Sequence, residues 1–247
     1  MIASKRSTIT TRADAPALRS GVSLFRHAAR VAWKDLRVEL RSREIVYTMG
    51  FFAAVIVVVY SFAFPLRPEL VRAATPGMLW VAIAFAGTIG LGRAFDRERE
   101  NDTMRALLLA PVPRLAVFIG KAFAIALLVL AVAVVVTPML SLLLQAPMFA
   151  EPLPLAIALV LGAIGFAIVG TVFSASLLKV RSRDVLLPVT MYPLLVPLFV
   201  AGTQATAAML VDHPDLDKVW YWIRFLGIYD AAFLVVSMWI FESVVIE

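Results

Sequence analysis

From residue 45 onward the chain is organised by long uncharged apolar runs separated by short polar ones. Between Glu44 and Arg67 lie 22 residues without Lys, Arg, Asp or Glu, and between Arg72 and Arg93 lie 20. The gaps from Lys121 to Glu151, Glu151 to Lys179 and Asp184 to Asp212 hold 29, 27 and 27. Trp222 to Ile246 makes a sixth run, interrupted by Asp230 near its outer end and Glu242 near its inner end. About 20 apolar residues carry a helix across the hydrocarbon core of a bilayer. The pattern therefore predicts six spans, at about 45–65, 74–92, 120–144, 154–178, 185–210 and 223–246. Only helices and closed barrels satisfy their backbones in lipid, and these runs are too long for barrel strands. The expected fold is an all-α integral membrane protein.

Two polar segments carry helical patterns of their own. In 23–44, Phe25, Ala29, Ala32, Leu36 and Leu40 form an apolar stripe with Trp33 beside it, and Arg26, Arg30, Lys34, Arg37 and Arg41 recur on the neighbouring face. This predicts an amphipathic helix lying in the headgroup plane, its bases near anionic membrane lipids. Simple anchoring and a mechanical role are both open for it. The second segment reads RAFDRERENDTMRALLLAPVPR, Arg93 to Arg114. Its alternating charges suit a helix leaving the membrane with i,i+4 pairs. Asn101, Asp102 and Thr103 are N-cap residues for a short helix edged by Met104, Leu107 and Leu108, which Pro111 and Pro113 end. A capped helix with an apolar edge is built to dock on something.

Composition changes the picture by exclusion. The 247 residues are 62% hydrophobic and 16% charged, with a mean hydropathy of +0.90. Soluble domains carry about 45–50% apolar and 25% charged residues, so soluble enzymes and nucleic-acid binders are excluded. The net charge of +6 reflects topology. Nineteen of the 23 Lys and Arg fall in the segment up to and including Arg43, in 93–121 and in 179–183, against four in the alternate loops, which places both termini on the cytoplasmic side. With no cysteine there is no disulfide or thiolate metal site. Residues 1–22 are Ser/Thr/Arg-rich without an apolar core and read as a disordered cytoplasmic tail rather than a transit peptide. The remainder, 23–247, reads as one polytopic domain.

Candidate chemistry is sparse. Gly120-Lys121 is followed by Ala122 and lacks the earlier glycine of a phosphate-binding loop, so any ATP-driven step needs a separate polypeptide. Ala82, Ala86, Gly90 and Ala94, and likewise Ala163, Ala167, Thr171 and Ala175, form small-residue stripes that let helices approach closely, within the chain or between subunits. Pro188, Pro193 and Pro197 weaken the fifth span and suit a segment that changes shape. Asp230 is the one acid well inside a span. Two positions are open to it: buried and functional, or an N-cap at the interface if the last helix starts near Ala231. His27 and His213 are isolated, and His213 sits among Asp212, Asp215 and Asp217 as a solvated loop residue more readily than a haem ligand. Trp220, Tyr221 and Trp222 mark the outer interface.

WKDLRVELRSRE (Trp33 to Glu44), GMLWVAIAFAGTIGL (Gly77 to Leu91), FDRERENDTMRALLLAPVPR (Phe95 to Arg114) and LLPVTMYPLLVPLFVAG (Leu186 to Gly202) together resemble the CcmB family of cytochrome c maturation. The resemblance covers nearly all of the chain after residue 23. It implies a non-catalytic six-span permease of the inner membrane that dimerises and works with a separate ABC ATPase subunit, which binds the ATP. It also implies a haem-handling membrane subunit with a Trp-rich motif, a small single-span subunit and a periplasmic haem chaperone, whose haem-loaded form ATP hydrolysis releases. Haem is then handled by the complex, and no cofactor is assigned to this chain. In the wider ABC-2 group a cytoplasmic coupling helix between spans two and three meets the ATPase. Carried over, that role falls on Glu98, Glu100, Asp102, Met104, Arg105, Leu107 and Leu108. An ABC-2 exporter of a drug, lipid or polysaccharide precursor is the alternative. A membrane scaffold or intramembrane enzyme is a third class, for which Asp230 and Glu242 are too few reactive groups.

Overall fold

The computed structural model describes residues 17–63, 68–100, 113–177, 180, 182–211 and 213–244. These form seven helices and, among the described residues, no strand: α1 (Ala17–Ser42), α2 (Glu44–Ala63), α3 (Pro68–Glu100), α4 (Arg114–Leu143), α5 (Pro152–Ser176), α6 (Arg183–Met209) and α7 (Leu216–Val244). Six segments are long and apolar enough to span a membrane, one for each uncharged run: Glu44–Ala63, Glu69–Phe95, Leu115–Leu143, Pro152–Ser176, Val185–Met209 and Leu216–Ile240. α1 begins at Ala17, so residues 17–22, grouped with the tail by composition, are its first turns.

The helix ends have local causes. Pro113 precedes α4, and Pro152 opens α5, where a missing N–H is not needed. Arg43 takes a left-handed φ of 56°, which turns the chain between α1 and α2. Gln145, at φ 53°, does the same after α4, where the Ser141 hydroxyl donates to the Ala146 carbonyl. α6 continues through Pro188, Pro193 and Pro197 without interruption.

α5 is the central column, packed against α3, α4, α6 and α7. It owes that place to small residues. At Gly162 an added Cβ would run into the Trp80 ring of α3, and at Gly170 into Leu91 of the same helix. In return Phe166 of α5 lies against Gly87 of α3. Without a hydrophobic drive between helices in lipid, such close van der Waals fits hold a bundle together. Both small-residue stripes are used inside the chain: Ala82, Ala86 and Gly90 are buried, as are Ala163, Ala167 and Thr171. α2 lies at the edge on α3 and α4 and turns Phe51, Phe52, Val55, Val59 and Phe62 outward.

Trp80 is the main internal anchor. Its side chain is 2% exposed, and its Nε1–H donates to Thr206 Oγ1 of α6 at 3.1 Å. Gly162 faces the ring from α5 and Gly202 from α6. About two turns further along α3, Thr88 and Tyr192 share a hydroxyl–hydroxyl bond of 3.0 Å that joins α3 and α6 again.

Candidate coupling end and intramembrane acid

α1 lies against the start of α4. Its buried line is Ala28, Val31, Ala32 and Glu39, whereas Phe25 is 74% exposed and Trp33 56%, with the Arg37 guanidinium over the Trp33 ring. The stripe read from the sequence is thus divided: Ala32 faces the protein, and Phe25, Ala29 and Trp33 face outward. Small residues take the protein side because α4 comes very close there. A Cβ at Gly120 would sit 2.6 Å from the Ala28 carbonyl oxygen and 2.8 Å from Val31 Cβ.

Acidic side chains pin α1 at two further points. Glu39 Oε1 accepts hydrogen bonds from the Ile45 and Val46 N–H groups at 2.8 and 3.1 Å, so a residue of α1 caps α2. A carboxylate there also meets the positive end of the helix dipole. Asp35 Oδ2 pairs with Lys121 Nζ of α4 at 3.5 Å, and the same ammonium lies 5.2 Å from the centre of the Phe95 ring in α3. Arg93 of α3 adds a 2.9 Å ion pair to Glu44 at the start of α2; both groups are exposed, so the pair contributes little. Sequence reasoning missed Lys121, Asp35 and Glu39. The available signal was two acids at i,i+4 on an otherwise basic helix, in line with Ala28 and Ala32.

Of the residues assigned to ATPase contact, Glu98 and Glu100 belong to the last turn of α3, and their side chains lie outside what is described. Asp102, Met104, Arg105, Leu107 and Leu108, and with them the short coupling helix, lie outside the described residues. The described helices fix the two roots of that segment, α3 and α4, against each other, and α4 against α1.

Asp230 is not a helix cap. α7 starts at Leu216, so Asp230 stands fourteen residues into it, about 21 Å along the axis. It occupies the centre of the buried face of α7, between Leu226 and Ser237, and is 6% exposed. Its carboxyl fits where Gly165 of α5 has no side chain: a Cβ there would meet Asp230 Oδ1 and Leu198 Cδ1 of α6. Gly165 and Leu198 are also near the middles of their helices. Neither carboxyl oxygen has a hydrogen-bond partner among the described residues, and α5 carries no ionisable residue. Beside it, the Tyr229 hydroxyl donates to the Leu194 carbonyl at 2.8 Å, within the proline-bearing stretch of α6. An unpaired acid at mid-depth is costly, and such residues mark functional positions by default.

The histidines are not brought together. His27 is half-buried on α1, and His213 is exposed between α6 and α7, at the opposite end of the bundle. Among the described residues no cluster of three or more His, Asp or Glu could hold a metal ion.

Six apolar helices, one of them a small-residue column on which four others pack, with a surface helix clamped at one end, define a multi-pass α-helical membrane protein. The family model described as CcmB protein matches residues 26–245, and the chain belongs to that family. It is similar to Heme exporter protein B of Pseudomonas aeruginosa, 26% identical over 175 residues that cover 71% of this chain and 78% of that one. The protein of the same name from Rhodobacter capsulatus is 28% identical over 180 residues, 69% and 78% of the two chains. That from Paracoccus denitrificans is 30% identical over 173 residues, 70% and 78%.

Proposed function

We propose that this chain is the permease subunit of an ABC transporter complex for cytochrome c maturation, with haem as the complex's cargo or handled group. The family match across nearly the whole six-span chain carries this reading. The lack of a phosphate-binding loop assigns ATP hydrolysis to a separate subunit. In this reading the segment 98–108 docks on that ATPase, with Leu107 and Leu108 seated in an apolar cleft and Glu98, Glu100, Asp102 and Arg105 around its charged rim. Two copies of the permease pair in the membrane with a haem-handling subunit and a small single-span subunit. ATP hydrolysis drives release of the haem-loaded periplasmic chaperone.

Deletion with complementation tests the assignment. A strain lacking the chain is expected to lose c-type cytochromes and accumulate haem-loaded chaperone, and the wild-type gene to restore them. A Leu107→Asp, Leu108→Asp chain is expected to insert normally but bring down no ATPase, because charges buried at an apolar contact cost several kcal/mol. Normal c-type cytochromes in the deletion strain would point to export of another substrate. Undiminished ATPase recovery with the double variant would move the contact elsewhere, α1 being the next surface.

Orientation has its own test. The charge bias supports an inner-membrane protein with both termini and the 93–121 segment in the cytoplasm. Single cysteines placed at Ser7, Asp102, Asp217 and Glu247 of this cysteine-free chain are expected to react with an impermeant reagent from outside only at 217. Outside labelling at any other position would overturn the topology.

A further inference from the structure

α1 packs on α4, the returning root of the segment between α3 and α4, and one side chain of α4 links it to the outgoing root, α3. Lys121 stands seven residues into α4 with its side chain 5% exposed. Its ammonium meets Asp35 of α1 and the face of Phe95, a fully buried ring five residues before the end of α3. Gly120, next to it, removes the side chain that would hold α1 away from α4. α1 in turn holds the first turn of α2 through Glu39. The surface helix thus meets α2 and α4 directly, and α3 through one buried cation.

Stability alone does not explain an ion pair in that place. Apolar replacements of similar volume are often neutral or better, because desolvating two charges offsets much of their attraction. Lys121 is the buried member, whereas Asp35 is half-buried with Lys34 Nζ 2.9 Å from its other oxygen, and what the pair adds is a fixed register between the elements that bear it. Here those elements are α1 and the returning root of the 101–112 segment, with the outgoing root held against the same ammonium by Phe95.

We propose that Lys121 and Asp35 form a transmission clamp: they position α1 so that displacement of the 101–112 segment moves α3, α4, α1 and the start of α2 as one body. This rests on the reading that the segment meets a separate ATPase. Without the clamp, α1 keeps its packing on α4 at Gly120 but loses its fixed register along that helix. Lys121 and Asp35 are positioning residues, and their loss separates ATP turnover from output.

The test uses the full complex in native membranes, with recovered ATPase, ATP hydrolysis and c-type cytochrome formed as three readouts. Lys121→Met and Asp35→Asn are expected to keep ATPase recovery and hydrolysis within about twofold while lowering cytochrome formed per ATP about tenfold. The exchanged pair, Lys121→Asp with Asp35→Lys, is expected to regain most of that yield, and Lys121→Arg to stay near wild type. A wild-type yield per ATP in both single variants would overturn the clamp. Failure of both to accumulate would make the pair a folding element and overturn it equally. A wild-type chain that recovers no ATPase would instead overturn the functional reading, and the clamp's role with it.

Discussion

Replacing Trp80 with alanine is expected to destabilise the bundle by about 3–5 kcal/mol, the range for truncating a large buried aromatic. The ring fills the space left by two glycines on different helices, Gly162 and Gly202, so neither backbone has a side chain with which to collapse into the hole. In lipid the lost contacts are the ones that hold helices together, since apolar surface gains nothing by leaving acyl chains. Trp80→Phe should be much milder. It keeps most of the ring, and the Thr206 hydroxyl, released from Nε1, still donates to the Gly202 carbonyl at 2.8 Å. An interhelical hydrogen bond in a membrane averages about 0.6 kcal/mol. Unfolding of the purified protein in a detergent series measures both. Trp80→Ala at wild-type stability would show that the α3–α5–α6 junction does not hold the fold.

Asp230→Asn should divide function from folding in the opposite sense. The amide keeps the shape that fits against Gly165 and removes the ionisable group. Insertion scales put an aspartate at a helix centre at about 2.5–3.5 kcal/mol unfavourable, and neither oxygen recovers that through a partner among the described residues. The variant is therefore expected to insert and assemble at least as well as wild type, with equal or higher resistance to unfolding. Formation of c-type cytochromes should nevertheless fall. Better stability with poorer activity is the mark of a residue retained for function. Normal output from Asp230→Asn would reduce the acid to a tolerated core residue.

The six spans were legible because a charge in hydrocarbon is so unfavourable that uncharged runs delimit them. The limits failed where helices continue past the membrane. α7 starts at Leu216, ahead of the Trp222 boundary, because Asp217, Lys218 and Arg224 are exposed and the helix carries them without burial. Asp230 was visible as an anomaly, yet its niche was not, since that depends on which residue of α5 has no side chain at the same depth. Which side of α1 meets the bundle was not legible for a related reason. Phe25 and Trp33 dominate its apolar moment, but the close approach at Gly120 admits only Ala28, Val31 and Ala32. The proposed ATPase contact is legible only as a capped apolar edge and a family resemblance, and residues 101–112 lie outside the described ones.

The glycines around Trp80 set a rule for how this sequence can drift. Positions 80, 162 and 202 lie on three helices and share one volume, so a larger residue at either glycine needs a smaller one at 80. A single change passes through a state with either a clash or a hole. Substitutions there should be accepted in compensating sets, whereas the outward residues of α2, such as Phe51, Val55 and Val59, are free to change one at a time among apolar types.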